Sequence, residues 1–377
     1  MNIGIVCYPT YGGSGVVATE LGMALAQKGH QVHFITSHQP VKLNFLNHNL
    51  HFHEVFVENY PVFHYQPYNL ALSSKLVESV QKYNLDVLHV HYAIPHAYAA
   101  YMAKQMLKDV GIDIPIVTTL HGTDITLVGS HPVYKPAVEF SINHSDAVTT
   151  VSNSLKNDTL RLFNIKKDIE VIYNFIDFEQ QDKWSAEDCM RDTLAPPEEK
   201  ILTHVSNLRP VKRVMDVIRI FHKVQQEIPS KLIFVGDGPD REKADLLAKE
   251  LGVKDKIIFL GKSDEIRKIL CLSDLFLLPS ETESFGLAAL EAMAGKTPVI
   301  SSNTGGLPEV NIHGVTGFLS EVGDVEDMAK NAIFLLRDEK QLDRFKQKAF
   351  DEAHRFSIDM ILPKYEKMYQ RVIDNGF

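Results

Sequence analysis

Two blocks of alternating strand-like and helix-like patterning, separated by a polar break, limit what this 377-residue chain can become. In the first block, short apolar runs at 2–8, 31–36, 51–57, 86–91, 116–121 and 146–151 alternate with helix-period segments such as 16–28, 70–83, 96–108 and 154–163. That alternation predicts βαβ units around a parallel sheet. Residues 180–200 then turn polar and contain Pro196, Pro197 and the only tryptophan, Trp184, so the region 172–200 is expected to be a hinge. The pattern restarts with strand candidates at 201–206, 231–236, 256–260, 274–278 and 298–301, and three helices near 325–336, 340–356 and 358–375 close the chain. The expected fold class is α/β, with two Rossmann-like, doubly wound domains facing across a cleft, where small ligands bind. The expected division is 1–170 and 171–356, the last helix, about 357–377, packing back on the first domain.

A net charge of −9 and the lack of a clustered Lys/Arg stripe argue against a nucleic-acid grip. Three widely spaced cysteines, Cys7, Cys189 and Cys271, suggest neither a disulfide framework nor a thiolate metal site, and no apolar run approaches membrane-spanning length. With Met1 leading straight into a strand-like run, the expected location is the reducing cytoplasm, away from any membrane. The oligomeric state, homo-oligomer or monomer, is left open.

The stretch 275–294, LFLLPSETESFGLAALEAMA, reads as a buried strand, a turn with Pro279, and a helix opening near Ser284. Phe285, Gly286 and Leu287 are then expected in the first helical turn, whose outward N–H groups make an anion site. Glu283 precedes that turn and Glu291 lies in the helix body. Two carboxylates beside a phosphate site repel the anion, so they suit uncharged sugar and ribose hydroxyls. The loop Ser206-Asn207-Leu208-Arg209-Pro210-Val211-Lys212-Arg213 follows another strand and brings three cations, which fits a diphosphate leaving group. Arg209 and Lys212 are the expected phosphate ligands, and Arg213 is expected to be structural.

In the first block, Gly12, Gly13, Ser14 and Gly15 form a glycine-rich turn between strand and helix, neither a dinucleotide fingerprint nor a P-loop. His121 ends another strand, with Asp124 placed to orient it. The pairs His89/His91 and His51/His53 each project to one face of a strand, but no third ligand accompanies them and no metal is expected. Gly305-Gly306-Leu307-Pro308-Glu309 and Gly314-Val315-Thr316-Gly317-Phe318 read as tight turns.

Taken together, these residues resemble the retaining glycosyltransferases of family 4, whose fold is called GT-B. The resemblance is carried by Glu283 and Glu291 as Glu-x7-Glu, Gly12-Gly13, the basic loop ending in Lys212, and the glycine turns at 305–309 and 314–317. Within that family CYPTYGGSGVVATELG at 7–22, HVHYAIPHA at 89–97, TTLHGTDIT at 118–126, VIYNFID at 171–177 and VSNLRPVKRV at 205–214 are similar to the branch that begins bacillithiol biosynthesis. The resemblance implies transfer of N-acetylglucosamine from UDP-N-acetylglucosamine to the hydroxyl of L-malate with the α configuration kept, and with no cofactor or metal. It implies that Arg209, Lys212 and the amides of Gly13, Phe285, Gly286 and Leu287 hold the diphosphate, with Gly12, Ser14 and Asn207 also among the residues that bind the nucleotide sugar. By the same resemblance Glu283 holds the donor sugar, Glu291 the ribose, and His121 positions the sugar. Asn207 stands where many members have arginine, so Arg209 is the substitute cation. Malate, a dianion, is expected against Ser14, Tyr92, Thr119 and Asn153. A different acceptor such as a lipid, an epimerase acting on the same nucleotide sugar, and a non-catalytic binding module are the other readings.

Overall fold

A computed structural model describes residues 1–10, 12–41, 43, 46–57, 66–178, 191, 194–263 and 265–375. The chain divides into one unit of Met1–Asn174 with Ile358–Phe377 and a second of Phe175–Ser357. The first boundary falls at 174 rather than 170 because a short strand after residue 168 still belongs to the first sheet. Trp184, Cys189 and most of the polar break lie outside the described residues.

The first sheet is all parallel and contains β1 (Asn2–Val6), β2 (Gln31–Thr36), β3 (Leu50–Glu54), β4 (Val87–His91), β5 (Ile116–Leu120), β6 (Ala147–Thr150) and β7 (Ile169–Val171). Its spatial order is β3-β2-β1-β4-β5-β6-β7. The second sheet, also parallel, contains β8 (Lys200–Val205), β9 (Ser230–Val235), β10 (Ile257–Phe259), β11 (Leu275–Leu278), β12 (Val299–Ser302) and β13 (Gly317–Ser320), in the order β10-β9-β8-β11-β12-β13. Central strands are buried on both faces, which is why they read as continuous apolar runs rather than alternating ones. β13 corrects the reading of 314–318 as turn alone: Gly314 makes the turn at φ 75°, and Gly317 opens a strand so close to β12 that a Cβ would lie 1.8 Å from the Val299 carbonyl oxygen.

Helix faces follow the same burial logic. Val214, Val217, Ile218, Phe221 and Val224 recur at helical spacing in Val214–Gln225 and enter the second core. In Ile358–Asp374 the buried set Ile358, Ile361, Leu362, Tyr365, Met368, Tyr369 and Val372 faces the first unit, where the Tyr369 hydroxyl lies 2.7 Å from His89 Nδ1 and Arg371 pairs with Glu170. Among the described residues no helix is long and apolar enough to cross a membrane.

Each sheet has one point where the strand order reverses, between β1 and β4 in the first and between β8 and β11 in the second. Loops leaving the carboxyl ends of those strands bracket the crevice where open α/β sheets bind ligands. The glycine turn follows β1, Tyr92 follows β4, the basic loop follows β8, and the Glu283 turn follows β11.

Candidate active site

In the second unit, the two loops at the strand-order reversal meet through charge. Lys212 Nζ lies 2.5 Å from Glu283 Oε1, and the Ser280 hydroxyl donates to the same oxygen at 2.9 Å. The pair spans 71 residues of sequence, and the Glu281 amide donates to the Val211 carbonyl alongside it. Arg209 is exposed and makes no ion pair among the described residues, whereas Arg213 is tied to Asp216 and caps the following helix at φ 50°. Arg213 is thus engaged structurally, as expected, while Lys212 pairs with Glu283 and Arg209 is exposed.

A buried histidine that sequence reading passed over holds this loop. His204 on β8 donates through Nδ1 to the Leu277 carbonyl of β11 at 2.8 Å, leaving Nε2 to accept from the Ser206 hydroxyl at 2.7 Å. Ser206 Oγ in turn accepts from the Leu208 amide at 3.1 Å, where the backbone turns through φ 38°. Gly236 and Gly238 back the same loop: a Cβ on either would lie 1.8 Å from the Ser206 carbonyl oxygen or 2.0 Å from that of Asn207. Gly-Asp-Gly-Pro after a strand was the available signal for this wall. Asn207 itself is exposed.

The helix after the Glu283 turn starts later than its sequence suggests. It runs Leu287–Ala294, and Gly286 precedes it at φ 98°, so Phe285 and Gly286 are not in its first turn. The reason is packing: Phe285 is buried, and Gly286 turns the chain against Leu307, whose Cδ2 would lie 2.6 Å from a Cβ there. The first bond into the helix runs from the Leu290 amide to the Gly286 carbonyl, so the outward amides of this N-terminus are those of Leu287, Ala288 and Ala289. Glu291 is half-buried one turn further on. Gly305 and Gly306 lie directly on the backbone of Glu283 and Ser284.

In the first unit the helix Gly13–Gln27 begins directly after Gly12 without a side-chain cap, and its first bonds run from Gly15 and Val16 to the Gly12 carbonyl. The amides of Gly13 and Ser14 therefore make no hydrogen bond among the described residues. Ser14 Oγ and the Tyr92 hydroxyl, two of the expected acceptor groups, lie 2.6 Å apart. Tyr92 sits at φ 85°, ψ 135°, a backbone conformation rare for a non-glycine residue and concentrated at functional sites. Burial pushes its hydroxyl up to about 12, so it remains a neutral donor and acceptor. Asn153 opens the helix after β6 and donates to the Tyr173 hydroxyl at 2.9 Å.

Thr119 does not belong with these residues. It is fully buried, and its hydroxyl is 2.7 Å from both His89 Nε2 and the Thr149 hydroxyl, because β5 is covered on both faces. Asp124 corrects a second expectation: its carboxylate accepts from the backbone amides of Ala93, Gly122 and His121, joining the turns after β4 and β5, rather than from the His121 ring. Burial raises it to about 6. The ring of His121 is held instead by His91, with Nε2 2.8 Å from His91 Nδ1.

The imidazoles beneath both sites are kept neutral by burial, His89 and His121 near 3, His96 and His204 near 4, and His91 well below its ordinary value. Above about 6.5, the unfolded value, folded and unfolded chains are both neutral at these positions and their contribution is fully present. Between about 6.5 and about 4 only the unfolded chain takes up the protons, so stability is lost as pH falls through that window. Thermal melts should therefore be flat above pH 7 and shift down steadily between pH 6 and 5; an unchanged midpoint at pH 5 contradicts the burial of this set. Among the described residues no group of three or more His, Cys, Asp or Glu is arranged to hold a metal ion.

Residues 11–180 match the family model described as Glycosyltransferase Family 4, and residues 185–352 the one described as Glycosyl transferases group 1. The chain is 50% identical over 374 residues to N-acetyl-alpha-D-glucosaminyl L-malate synthase of Bacillus anthracis, covering 99% of this chain and 97% of that one. Among solved structures it is similar to sucrose-phosphate synthase of Thermosynechococcus elongatus, with TM-score 0.80, 20% identity and full coverage of both chains. It is also similar to Anabaena Alr3699/HepE in complex with UDP-glucose, with TM-score 0.80, 20% identity, and 98% and 100% of the two chains covered.

Proposed function

The chain belongs to the family 4 glycosyltransferases and has their GT-B fold, and from that premise we propose that it transfers N-acetylglucosamine from UDP-N-acetylglucosamine to the hydroxyl of L-malate with the α configuration kept. The observation that carries the reading is the Lys212–Glu283 pair at 2.5 Å, at the strand-order reversal of the second sheet. A diphosphate bearing a sugar needs a cation for one part and a hydrogen-bond acceptor for the other, side by side. An ammonium has more than one N–H, so Lys212 can keep Glu283 in place while it meets a phosphate oxygen. The 50% identity to the N-acetyl-alpha-D-glucosaminyl L-malate synthase of Bacillus anthracis, over nearly the whole of both chains, supports the choice of sugar and acceptor.

In the proposed reaction the malate hydroxyl oxygen bonds to the anomeric carbon as the bond from that carbon to the β-phosphate oxygen breaks. The hydroxyl proton passes to the departing phosphate oxygen on the same face, so the protein supplies no nucleophile. Negative charge grows on the diphosphate as the bond lengthens, and Lys212, Arg209 and the amides of Leu287, Ala288 and Ala289 are the groups that answer it. Glu283 accepts from the sugar hydroxyls and Glu291 from the ribose. Ser14, Tyr92, the amides of Gly13 and Ser14, and Asn153 offer the donors that a dicarboxylate needs. We infer a cytoplasmic location, since both proposed substrates are anions that do not cross a bilayer unaided.

UDP release from UDP-N-acetylglucosamine should depend on added L-malate, and mass spectrometry should find the N-acetylglucosaminyl malate. Equal release with and without malate, or conversion of the donor to a 2-epimer, overturns the proposal.

A further inference from the structure

We propose that His91 is a positioning residue that fixes the tautomer of His121, so that His121 turns an Nδ1–H donor, never a base, toward its ligand. The proposal rests on the reading of His121 as the residue beside the donor sugar, and it assigns a role to a histidine that the reaction as drawn leaves unused.

The geometry allows two arrangements. His91 ends β4, is fully buried, and stacks on His121 with ring centres 5.1 Å apart and planes at 25°. Its Nδ1 lies 2.8 Å from His121 Nε2, so one of these nitrogens donates and the other accepts. A neutral imidazole carries one N–H. If His121 Nε2 donates, His91 must carry its proton on Nε2. That atom is buried without a hydrogen-bond partner among the described residues. An orphaned N–H in the interior forfeits its whole hydration energy and is rare in folded proteins. If His91 Nδ1 donates instead, its Nε2 is only an unused lone pair, and His121, accepting at Nε2, must carry its proton on Nδ1. Burial holds both rings neutral, which removes the doubly protonated alternative.

The neighbourhood reinforces this choice. His96 Nδ1 lies 2.5 Å from the His91 carbonyl, which accepts only, so His96 is an Nδ1–H tautomer too and cannot donate to His91 through that nitrogen. Asp124 accepts from three backbone amides and makes no hydrogen bond to the His121 ring among the described residues. His121 Nδ1 is free of hydrogen bonds among the described residues, and the side chain is half-buried rather than sealed. What it can receive is an oxygen lone pair, such as that of a sugar hydroxyl or carbonyl group. It cannot take the proton of the acceptor alcohol, which agrees with a phosphate oxygen doing so.

Nitrogen-15 NMR of the histidine-labelled protein tests the tautomers directly, with the His91→Asn variant assigning the His91 signals. With His121→Asn assigning the His121 signals in the same way, both His91 and His121 are expected as Nδ1–H tautomers; Nε2–H on either overturns the proposal whatever the enzyme's substrate. Kinetics test the consequence. His91→Leu, which leaves His121 free to change tautomer, should lower kcat/KM for the donor about 10-fold, chiefly through KM. His91→Asn, which keeps an N–H close to the Nδ1 position, should stay within about threefold of the parent. Equal losses in both variants overturn the positioning role. Should the parent fail to turn over malate at all, the functional reading falls while the NMR result still decides the tautomer.

Discussion

Replacing Lys212 with alanine is expected to lower kcat/KM about 10²- to 10³-fold while leaving the fold intact. The ammonium is held 2.5 Å from Glu283, and its side chain keeps 21% of its accessible surface. That partial exposure makes it available to a ligand, and its removal strands no fully buried charge. Glu283 retains the Ser280 hydroxyl on the same oxygen. On the proposed reaction the loss arises because further negative charge develops on the diphosphate as the bond breaks, so Lys212 is expected to contribute more to the transition state than to the bound donor. Lys212→Arg keeps the charge but not the compact geometry and should recover only part of the rate. The measurement is steady-state kinetics at saturating malate, with circular dichroism as the control on folding. A variant within threefold of the parent would remove Lys212 from the mechanism. Glu283→Ala should also abolish most turnover, and the double variant should fall short of the sum of the two losses, because the side chains are in direct contact.

Gly305→Ala should destabilise the protein by about 3 kcal/mol and lower the apparent melting temperature by roughly 6–10 °C. Two costs add there. The backbone is left-handed at φ 56°, and the new methyl would lie 1.9 Å from the carbonyl oxygen of Glu283. That oxygen also accepts from the Gly306 amide at 2.9 Å, so neither backbone has room to retreat without breaking the turn. Since the clash falls on the residue that carries the site's carboxylate, activity should fall further than the loss of folded protein explains. Gly314→Ala provides the comparison: φ is 75°, but nothing lies within 4 Å of the added carbon, so only the backbone cost of about 1 kcal/mol is expected. Melting curves of the two variants separate close approach from conformational strain. Equal shifts would mean that the contact between Gly305 and Glu283 is not as tight as described.

Patterning along the chain was enough for the elements whose formation depends on near neighbours. The helix Val325–Leu336 was legible to the residue because Asp324 caps it and its buried positions recur at helical spacing. The two series of alternating strands and helices, the basic loop and the Glu283 turn were legible for the same reason. Other features were decided only when distant segments met. Gly286 lies outside the helix because Leu307 packs against it, and Gly317 opens a strand because β12 lies alongside it. A threonine at the end of a strand looks the same in sequence whether it faces a ligand or a buried histidine, and Thr119 faces the histidine. The ring of His121 takes its orientation from His91 in the neighbouring strand, and Lys212 finds Glu283 across 71 residues. Local composition sets which elements form, since propensity and periodicity act over a few residues; which side chains share a proton or a charge depends on strand order, which no local pattern encodes.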